Sequence, residues 1–221
     1  MVRGMQVEIW SDVACPFCYI GKRSFEDALG RFAHRDEVEV TWRSFQLDPT
    51  APPSVEGGLD ELLARKYGRT LEQAREMNRG VAEMAAGVGL DYHLEDAKPG
   101  NTFDAHRIIH LGRAHGRGPE VKERLLRAYF VEGELLSDHG TLARLAEEAG
   151  LDRAEAEEVL ASDRYADDVR ADYDAAQQLG LSGVPAFVLD RRFLVTGAQP
   201  ADAFLTALER AWEGRAPAPA G

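Results

Sequence analysis

The chain contains two cysteines, Cys15 and Cys18, and they stand three positions apart. A pair with this spacing suits reversible disulfide chemistry, half of a metal site, or a chance arrangement. A structural disulfide is the weaker interpretation, because a chain of 221 residues can bury a core and needs no covalent staple. The neighbouring sequence therefore decides what chemistry the two thiols can do.

The cysteine pair falls where a strand pattern gives way to a helix pattern. Residues 6–10 place valine and isoleucine at every second position, and residues 20–32 carry apolar side chains at helical spacing. Pro16 suits the first helical position, where its missing N–H costs no hydrogen bond. A thiol at a helix start faces unpaired backbone N–H groups and the positive dipole end, which favour the thiolate. Cys15 is the predicted nucleophile, and Cys18, one turn further on, is placed to resolve a mixed disulfide on it.

A zinc site is the competing interpretation. His106 and His110 lie four apart on one predicted helical face, so with Cys15 and Cys18 they compose a set of two cysteines and two histidines. The separation between Cys18 and His106 is far greater than the roughly 12–15 residues of a zinc finger. Redox chemistry is therefore favoured, and no metal is predicted. Both histidines are expected to be packed or at the surface rather than acid–base groups.

Composition and charge narrow the class of protein. Hydrophobic residues make up 44% and charged residues 29% of the chain, which is ordinary for a globular protein. With 38 acidic against 26 basic side chains, the net charge of -12 would repel nucleic-acid phosphates. No apolar run reaches the roughly 18 residues that span a bilayer, and the first residues lack a signal-peptide pattern. We expect a cytosolic protein with no nucleic-acid or membrane partner.

The rest of the chain supplies the elements that would position the thiols. A second strand is predicted over 38–42, and a strand–helix–strand unit of this size implies a parallel pair. Residues 48–58 have the composition of a linker, and the chain from there to about residue 180 is expected to be helical throughout. A β-hairpin is predicted at 186–195, followed by a helix that opens at Pro200.

A proline stands just before the predicted hairpin. Proline has no N–H for a strand ladder, so Pro185 belongs at a strand start, an edge or a bulge. The residues alone leave two isomers of the Val184–Pro185 bond open: a trans bond that closes the loop after Gly180, or the rarer cis bond.

The order of these features resembles the DsbA-like branch of the thioredoxin superfamily. That order is strand, Cys15-Pro16-Phe17-Cys18, strand, long helical insertion, then Val184-Pro185, hairpin and helix, and it covers residues 5–214. Within this branch, segments Ser11–Lys22 and Asn101–Arg107 resemble the FrnE-like group, named for dithiol–disulfide isomerases associated with polyketide biosynthesis.

The resemblance implies an α/β protein with a thioredoxin fold, which has a mixed four-stranded sheet, and a large α-helical insertion domain. The thioredoxin-like domain would be discontinuous, covering 1–50 and 164–214, with the helical domain at 51–163 between its parts. Residues 215–221 are expected to form a disordered tail. The dithiol would lie at the junction of the two domains.

The resemblance also implies which residues meet a substrate. Pro185 would be cis and pack against the cysteines, while the Val184 backbone would hydrogen-bond an extended substrate. Pro16 and Phe17 belong to the same substrate-binding surface. Asn101 would line the groove, although asparagine is also a good N-cap for the helix that follows it.

Three residues around the pair carry further expectations. Phe17 occupies the position where strongly oxidising relatives have histidine, so a milder oxidant is expected. Asp12 and Lys22 flank the pair and are interpreted as ordinary surface charges.

The predicted function is thiol–disulfide exchange through Cys15 and Cys18 with protein or small-molecule thiols and disulfides. No cofactor is expected beyond the redox-active disulfide itself, with glutathione as a candidate co-substrate. Such exchange requires that the two sulfurs can bond and that Cys15 can be reached from solvent. The oligomeric state is left open.

Two alternatives remain. The sequence also resembles kappa-class glutathione transferases and hydroxychromene-carboxylate isomerases, which would make it a glutathione-dependent transferase or isomerase. Those relatives carry serine where Cys15 stands and lack a partner at Cys18, so the two thiols favour disulfide exchange. A non-catalytic adaptor with a vestigial dithiol is the second alternative.

Overall fold

The computed structural model describes residues 4–215, which form one four-stranded sheet and nine α-helices. The strands are β1 (Met5–Ser11), β2 (Val38–Ser44), β3 (Ala186–Leu189) and β4 (Phe193–Thr196). The helices are α1 (Pro16–Arg31), α2 (Gly58–Tyr67), α3 (Leu71–Ala86), α4 (Phe103–Ala114), α5 (Gly118–Phe130), α6 (His139–Glu148), α7 (Arg153–Leu160), α8 (Ala166–Gln178) and α9 (Ala201–Glu213). Of the predicted tail, residues 216–221 lie outside the described part of the chain.

The sheet has the order β2-β1-β3-β4 and is mixed, as the resemblance implies. β1 pairs in parallel with β2, with Ile9 opposite Trp42, and antiparallel with β3, with Ile9 opposite Phe187. β3 and β4 form the predicted antiparallel hairpin. Because β1 is central and its partners are short, the end of β1 at Ser11 delivers the cysteine turn to one edge of the sheet.

Both faces of the sheet are covered. Alternate β1 side chains such as Val7 and Ile9 pack with Phe25 of α1 and Phe204 of α9 in one core. Trp10 points to the opposite face, where it packs with Ala176 of α8 in a second core. The indole N–H of Trp10 donates to the backbone oxygen of Asp172 at 2.8 Å, so α8 is tied directly to the central strand.

A third and larger core lies among the helices between β2 and α8. It is built from the apolar stripes of α3 to α7, and it also takes in Val13, Tyr19 and Ile20 from the cysteine turn and the start of α1. Since Phe25 of the same helix belongs to the sheet core, α1 joins the two bodies of packing. The cysteine pair therefore lies where the sheet core and the helical core meet.

Two details of the predicted organisation are wrong. The chain is not helical throughout from 58 to 180, because residues 90–102 and 131–138 contain no helix. Pro99 and Gly100 interrupt the first of these segments, yet Tyr92 and Leu94 within it are buried, so it is a packed loop. Pro200 is the N-cap of α9 rather than its first residue. The boundaries of the discontinuous domains remain a prediction.

Candidate active site

Cys15 stands at the start of α1, as predicted. It is the N-cap residue, with extended backbone angles (φ -91°, ψ 113°), and Pro16 opens the helix. The Cys18 N–H donates to the Cys15 carbonyl at 3.0 Å, and the Cys15 N–H donates to the carbonyl of Asp12 at 3.4 Å. Both cysteines are free thiols. The turn after β1 thus places the first thiol among the unpaired N–H groups of α1.

The loop before β3 reaches the first thiol. The Val184–Pro185 peptide bond is cis, and the Cys15 thiol donates to the Val184 carbonyl with an Sγ–O distance of 3.6 Å. Gly21 allows α1 to approach this loop, because a Cβ added there would lie 3.2 Å from Pro185 Cγ. The structure therefore brings Val184 and Pro185 beside the cysteine turn, as the resemblance implies.

Access to the thiols is narrow. Cys15 is 3% exposed and Cys18 is fully buried, whereas Phe17 between them is 40% exposed. Ser182 and Gly183, which precede Val184, are also exposed. A partner can therefore approach Cys15 only along the surface formed by Phe17 and residues 182–184, which is a tighter approach than a freely exposed thiol would offer.

Asp12 is buried at 2% exposure, so its interpretation as an ordinary surface charge is wrong. Its carboxylate accepts from the Leu47 N–H at 2.8 Å and from the Nε2–H of His106 at 3.3 Å. Burial opposes ionisation, but these hydrogen bonds and the charge of Lys122 outweigh it, so the pKa of Asp12 is lowered. An ionised carboxylate is thus held directly beneath the cysteine turn.

The two histidines are packed, as expected. Burial lowers the pKa of His106, so its imidazole is neutral, and Nε2 carries the proton because the ionised Asp12 carboxylate can only accept. His106 Nδ1 has no hydrogen-bond partner within the described residues. His110 contacts the Ser44 hydroxyl at 3.1 Å and the Asp172 carboxylate at 3.0 Å.

The zinc set of Cys15, Cys18, His106 and His110 does not assemble in the described part of the chain. His106 and His110 are committed to the separate carboxylates of Asp12 and Asp172. Across residues 4–215, the group whose ligand atoms lie within 4.8 Å of one another is His93, Glu95 and Asp96.

Lys22 is also buried, at 3% exposure, so its interpretation as surface charge is wrong as well. Its ammonium contacts Glu26 at 2.5 Å and Glu123 of α5 at 2.6 Å, and Arg23 forms an ion pair with Glu123 too. Burial would raise the pKa of Glu123, but the hydrogen bond from Arg23 and the nearby Lys22 charge lower it to about 2. Two cations of α1 therefore clamp α5 through one carboxylate.

Lys122 precedes this carboxylate and is the main residue that the sequence interpretation missed. It is 1% exposed, and its ammonium lies 5.8 Å from the centre of the Trp42 ring. Burial lowers the pKa of Lys122 to about 8, against the opposing influence of Cys18, Asp12 and Cys15. The available signal was its place in the apolar stripe of α5, with Leu126 and Tyr129 at helical spacing.

Cys18 is held as a protonated thiol. Burial raises its pKa, and the neighbouring Cys15 raises it further, with Lys122 acting in the opposite direction. Cys15 and Cys18 therefore differ in environment: the first faces the helix start and Val184, and the second is enclosed. This asymmetry matches the predicted nucleophile and resolving thiol.

The packed loop of residues 90–102 covers the cysteine turn from the helical side. The hydroxyl of Tyr92 donates to the Pro16 carbonyl at 2.8 Å, and its ring stacks on Phe130 with centroids 4.7 Å apart. Burial raises the pKa of Tyr92, so the hydroxyl stays a donor. No pattern in the sequence pointed to this contact.

Asn101 has the capping role that its residue type allows. Its side-chain oxygen accepts the Phe103 N–H at 2.9 Å at the start of α4, and its amide donates to the Ala51 carbonyl at 2.9 Å. It also lines a cleft of about 490 Å³ with Gln46 and His139 among its neighbours. Contact between Asn101 and a substrate remains a prediction.

A mixed sheet with a Cys-Pro-Phe-Cys turn at the start of its first helix defines a thioredoxin-fold protein with a helical insertion. The chain belongs to the DsbA-like thioredoxin family, whose domain model matches residues 6–209. It is 46% identical to a probable DsbA oxidoreductase from Streptomyces coelicolor, whose crystal structure superposes with a TM-score of 0.93 over 98% of this chain and 94% of that one. It is 28% identical to the uncharacterized protein YwbO of Bacillus subtilis, over 92% of this chain and 96% of that protein.

More distant structures share the fold alone. The cytosolic disulfide reductase DsbM of Pseudomonas aeruginosa, solved with GSH, is 18% identical and has a TM-score of 0.65 over 94% of this chain and 99% of its own. A 2-hydroxychromene-2-carboxylate isomerase is also 18% identical, with a TM-score of 0.67 over 94% of each chain. No helix within residues 4–215 is both long and apolar enough to span a membrane.

Glu123→Gln tests the clamp between α1 and α5. Because the pKa of Glu123 falls from 4.5 to about 2 on folding, its ion pairs stabilise the fold above pH 4.5, and this stability is lost as the pH falls toward 2. We expect Glu123→Gln to lower the free energy of unfolding by about 1–2 kcal/mol at pH 7, allowing for solvent screening. Urea unfolding from pH 7 downward should show the difference shrinking below pH 4.5. Glu120→Gln, at an exposed site on the same helix, is the control, and equal effects of both substitutions would refute the clamp.

Lys122→Met tests whether the buried ammonium is held against the stability of the fold. Since the pKa of Lys122 drops from 10.5 to about 8 on folding, the unfolded chain binds this proton more tightly, and the charged form costs stability below pH 8. We expect the variant to gain about 1–3 kcal/mol in unfolding free energy at pH 7. The wild-type chain should close this gap between pH 8 and 10.5. Urea unfolding with Lys66→Met as an exposed control measures it, and a destabilised Lys122→Met would contradict the expectation.

Proposed function

We propose that this protein is a thiol–disulfide oxidoreductase that exchanges disulfides through Cys15 and Cys18. The observation that carries the proposal is the position of the Cys15 thiol at the start of α1, 3.6 Å from the Val184 carbonyl, with a second thiol one turn behind it. Membership of the DsbA-like family supports the same class of chemistry.

In the first step, the Cys15 thiolate attacks one sulfur of a partner disulfide. A bond forms between Cys15 Sγ and that sulfur, the partner disulfide breaks, and the other partner sulfur leaves as a thiolate that takes up a proton. The N–H groups at the start of α1 favour the attacking anion. The exposed chain at residues 182–184 and the half-exposed Phe17 supply the surface on which an extended partner would lie.

In the second step, Cys18 gives up its proton and attacks Cys15 Sγ. The Cys15–Cys18 disulfide forms, the mixed disulfide breaks, and the second partner sulfur leaves and is protonated. The partner has gained two electrons and two protons, and the protein has lost them. The reverse sequence would oxidise a partner dithiol, and a second thiol–disulfide couple would return the protein to its starting state.

Glutathione is the proposed small-molecule partner, as an alternative to protein thiols. The DsbM structure was solved with GSH, and this chain has the same fold. The fold shared with 2-hydroxychromene-2-carboxylate isomerase keeps the glutathione-dependent isomerase as a second candidate. The second thiol, Cys18, enclosed behind the first, favours disulfide exchange, and we place this activity in the cytosol.

Cys18→Ser should trap the mixed disulfide. With glutathione disulfide, we expect this variant to hold one glutathione on Cys15, because no thiol remains to displace it, while the wild-type chain ends as the internal disulfide. Cys15→Ser should form adduct about 10³-fold more slowly or worse, since the nucleophile is gone. Intact-protein mass spectrometry over a time course measures all three chains.

Two outcomes would overturn this assignment. Equal adduct formation by Cys15→Ser and Cys18→Ser would remove the distinction between nucleophile and resolving thiol. A Cys15→Ser protein that kept the full biological activity of the wild type would instead indicate the adaptor, in which the dithiol is vestigial.

A further inference from the structure

Resting on the proposed function, we propose that Lys122 is a positioning residue that acts through Cys18: its buried ammonium stabilises the Cys18 thiolate during release of the mixed disulfide. The same charge would stabilise the reduced, thiolate-bearing pair over the internal disulfide. The residue belongs to α5, in the helical part of the molecule, so the insertion would contribute directly to the chemistry of the dithiol.

The burial of this lysine is the first observation. Lys122 is 1% exposed and lies over the Trp42 ring of β2, so its ammonium sits between α5 and the sheet rather than in water. An apolar side chain of similar volume would normally serve a packing role there at lower cost in free energy. A charge kept at such a position needs a partner or a task.

The groups around Lys122 are those of the dithiol. Its charge interacts with Cys18, Asp12 and Cys15, and less favourably with Lys22 of α1. Asp12, at the end of β1, is fixed by Leu47 and His106 and is ionised, so by itself it opposes a thiolate on Cys18. The neutral imidazole of His106, from α4, adds no charge to offset it. Lys122 is thus the cation that balances Asp12 beside Cys18.

The clamp between helices keeps the ammonium in this place. Glu123, the next residue of α5, is held by Lys22 and Arg23 of α1, the same helix that carries Cys18. The position of Lys122 relative to Cys18 is therefore set by side chains within two turns of the reacting sulfur. A surface lysine on a loosely packed helix would have no such constraint.

The step that needs this charge is the attack by Cys18. The enclosed thiol must become a thiolate before it can displace the partner from Cys15, and its burial resists that change. A fixed cation lowers the cost of the anion in a site with little water. Protons balance within the step, because the departing partner thiolate takes up the equivalent of the proton that Cys18 released.

Lys122→Met tests the proposal, with Lys66→Met as the control for an equal change in net charge at an exposed site of α2. Glutathione release from the Cys15 mixed disulfide, followed by rapid quench and mass spectrometry at pH 7, should slow about tenfold in Lys122→Met. The equilibrium constant with glutathione should shift about tenfold toward the internal disulfide. Neither quantity should change in Lys66→Met.

The outcomes separate this proposal from the one beneath it. A wild-type chain that forms no internal disulfide would overturn disulfide exchange itself. A wild-type chain that exchanges normally, with Lys122→Met within twofold of it in both measurements, would overturn only the role of Lys122. Lys122→Gln is the second variant, and failure of both variants to fold would likewise count against the proposal, because it would show that the charge serves the fold.

Discussion

The site depends on how firmly the first turn of α1 is held between two bodies of packing. Tyr19 and Ile20 of that helix are buried in the helical core, while Phe25 is buried in the sheet core. Cys15 sits at the end of this element, where its sulfur meets the Val184 carbonyl. Because both cores grip the same helix, the thiol cannot move relative to the loop before β3 without disturbing one of them.

Buried charge is the second constraint, and it links the two parts of the molecule. Asp12 comes from the sheet side, and His106, Lys122 and Glu123 come from helices of the insertion. Charges in such places oppose stability unless they are paired and hydrogen-bonded. Glu123 is well paired and strengthens the contact between α1 and α5, whereas Lys122 keeps its charge at the expense of the fold. Groups of the second kind are more easily explained by chemistry than by packing.

Much of the fold could be predicted from local pattern. The strand before Cys15, the helix after it, and the hairpin at 186–195 each follow from residue types within a few positions. The cis bond at Pro185 came from the family resemblance, since its immediate neighbours leave the isomer open. The packed loop at 90–102 was missed because its apolar residues resemble a helical stripe once they are buried.

The charged part of the site could not be predicted, for a different reason. Asp12 and Lys22 look like surface residues in sequence, and each is buried by a partner far along the chain, His106 for the one and Glu123 for the other. Lys122 gave only a faint signal, as one cation in an apolar stripe. Whether such a charge is buried is decided by tertiary packing, which no short window of sequence contains.

The central claim, that Cys15 and Cys18 form a reversible redox pair, is tested most directly by titrating the whole wild-type chain against mixtures of reduced and oxidised glutathione. After acid quenching, mass spectrometry would follow the loss of two hydrogen atoms and locate it in the peptide that holds both cysteines. We predict a reversible transition between the dithiol and this internal disulfide, with mixed glutathione disulfide only as a transient. A chain that keeps both thiols across the whole range, or that ends as a lasting glutathione adduct on Cys15, would contradict it.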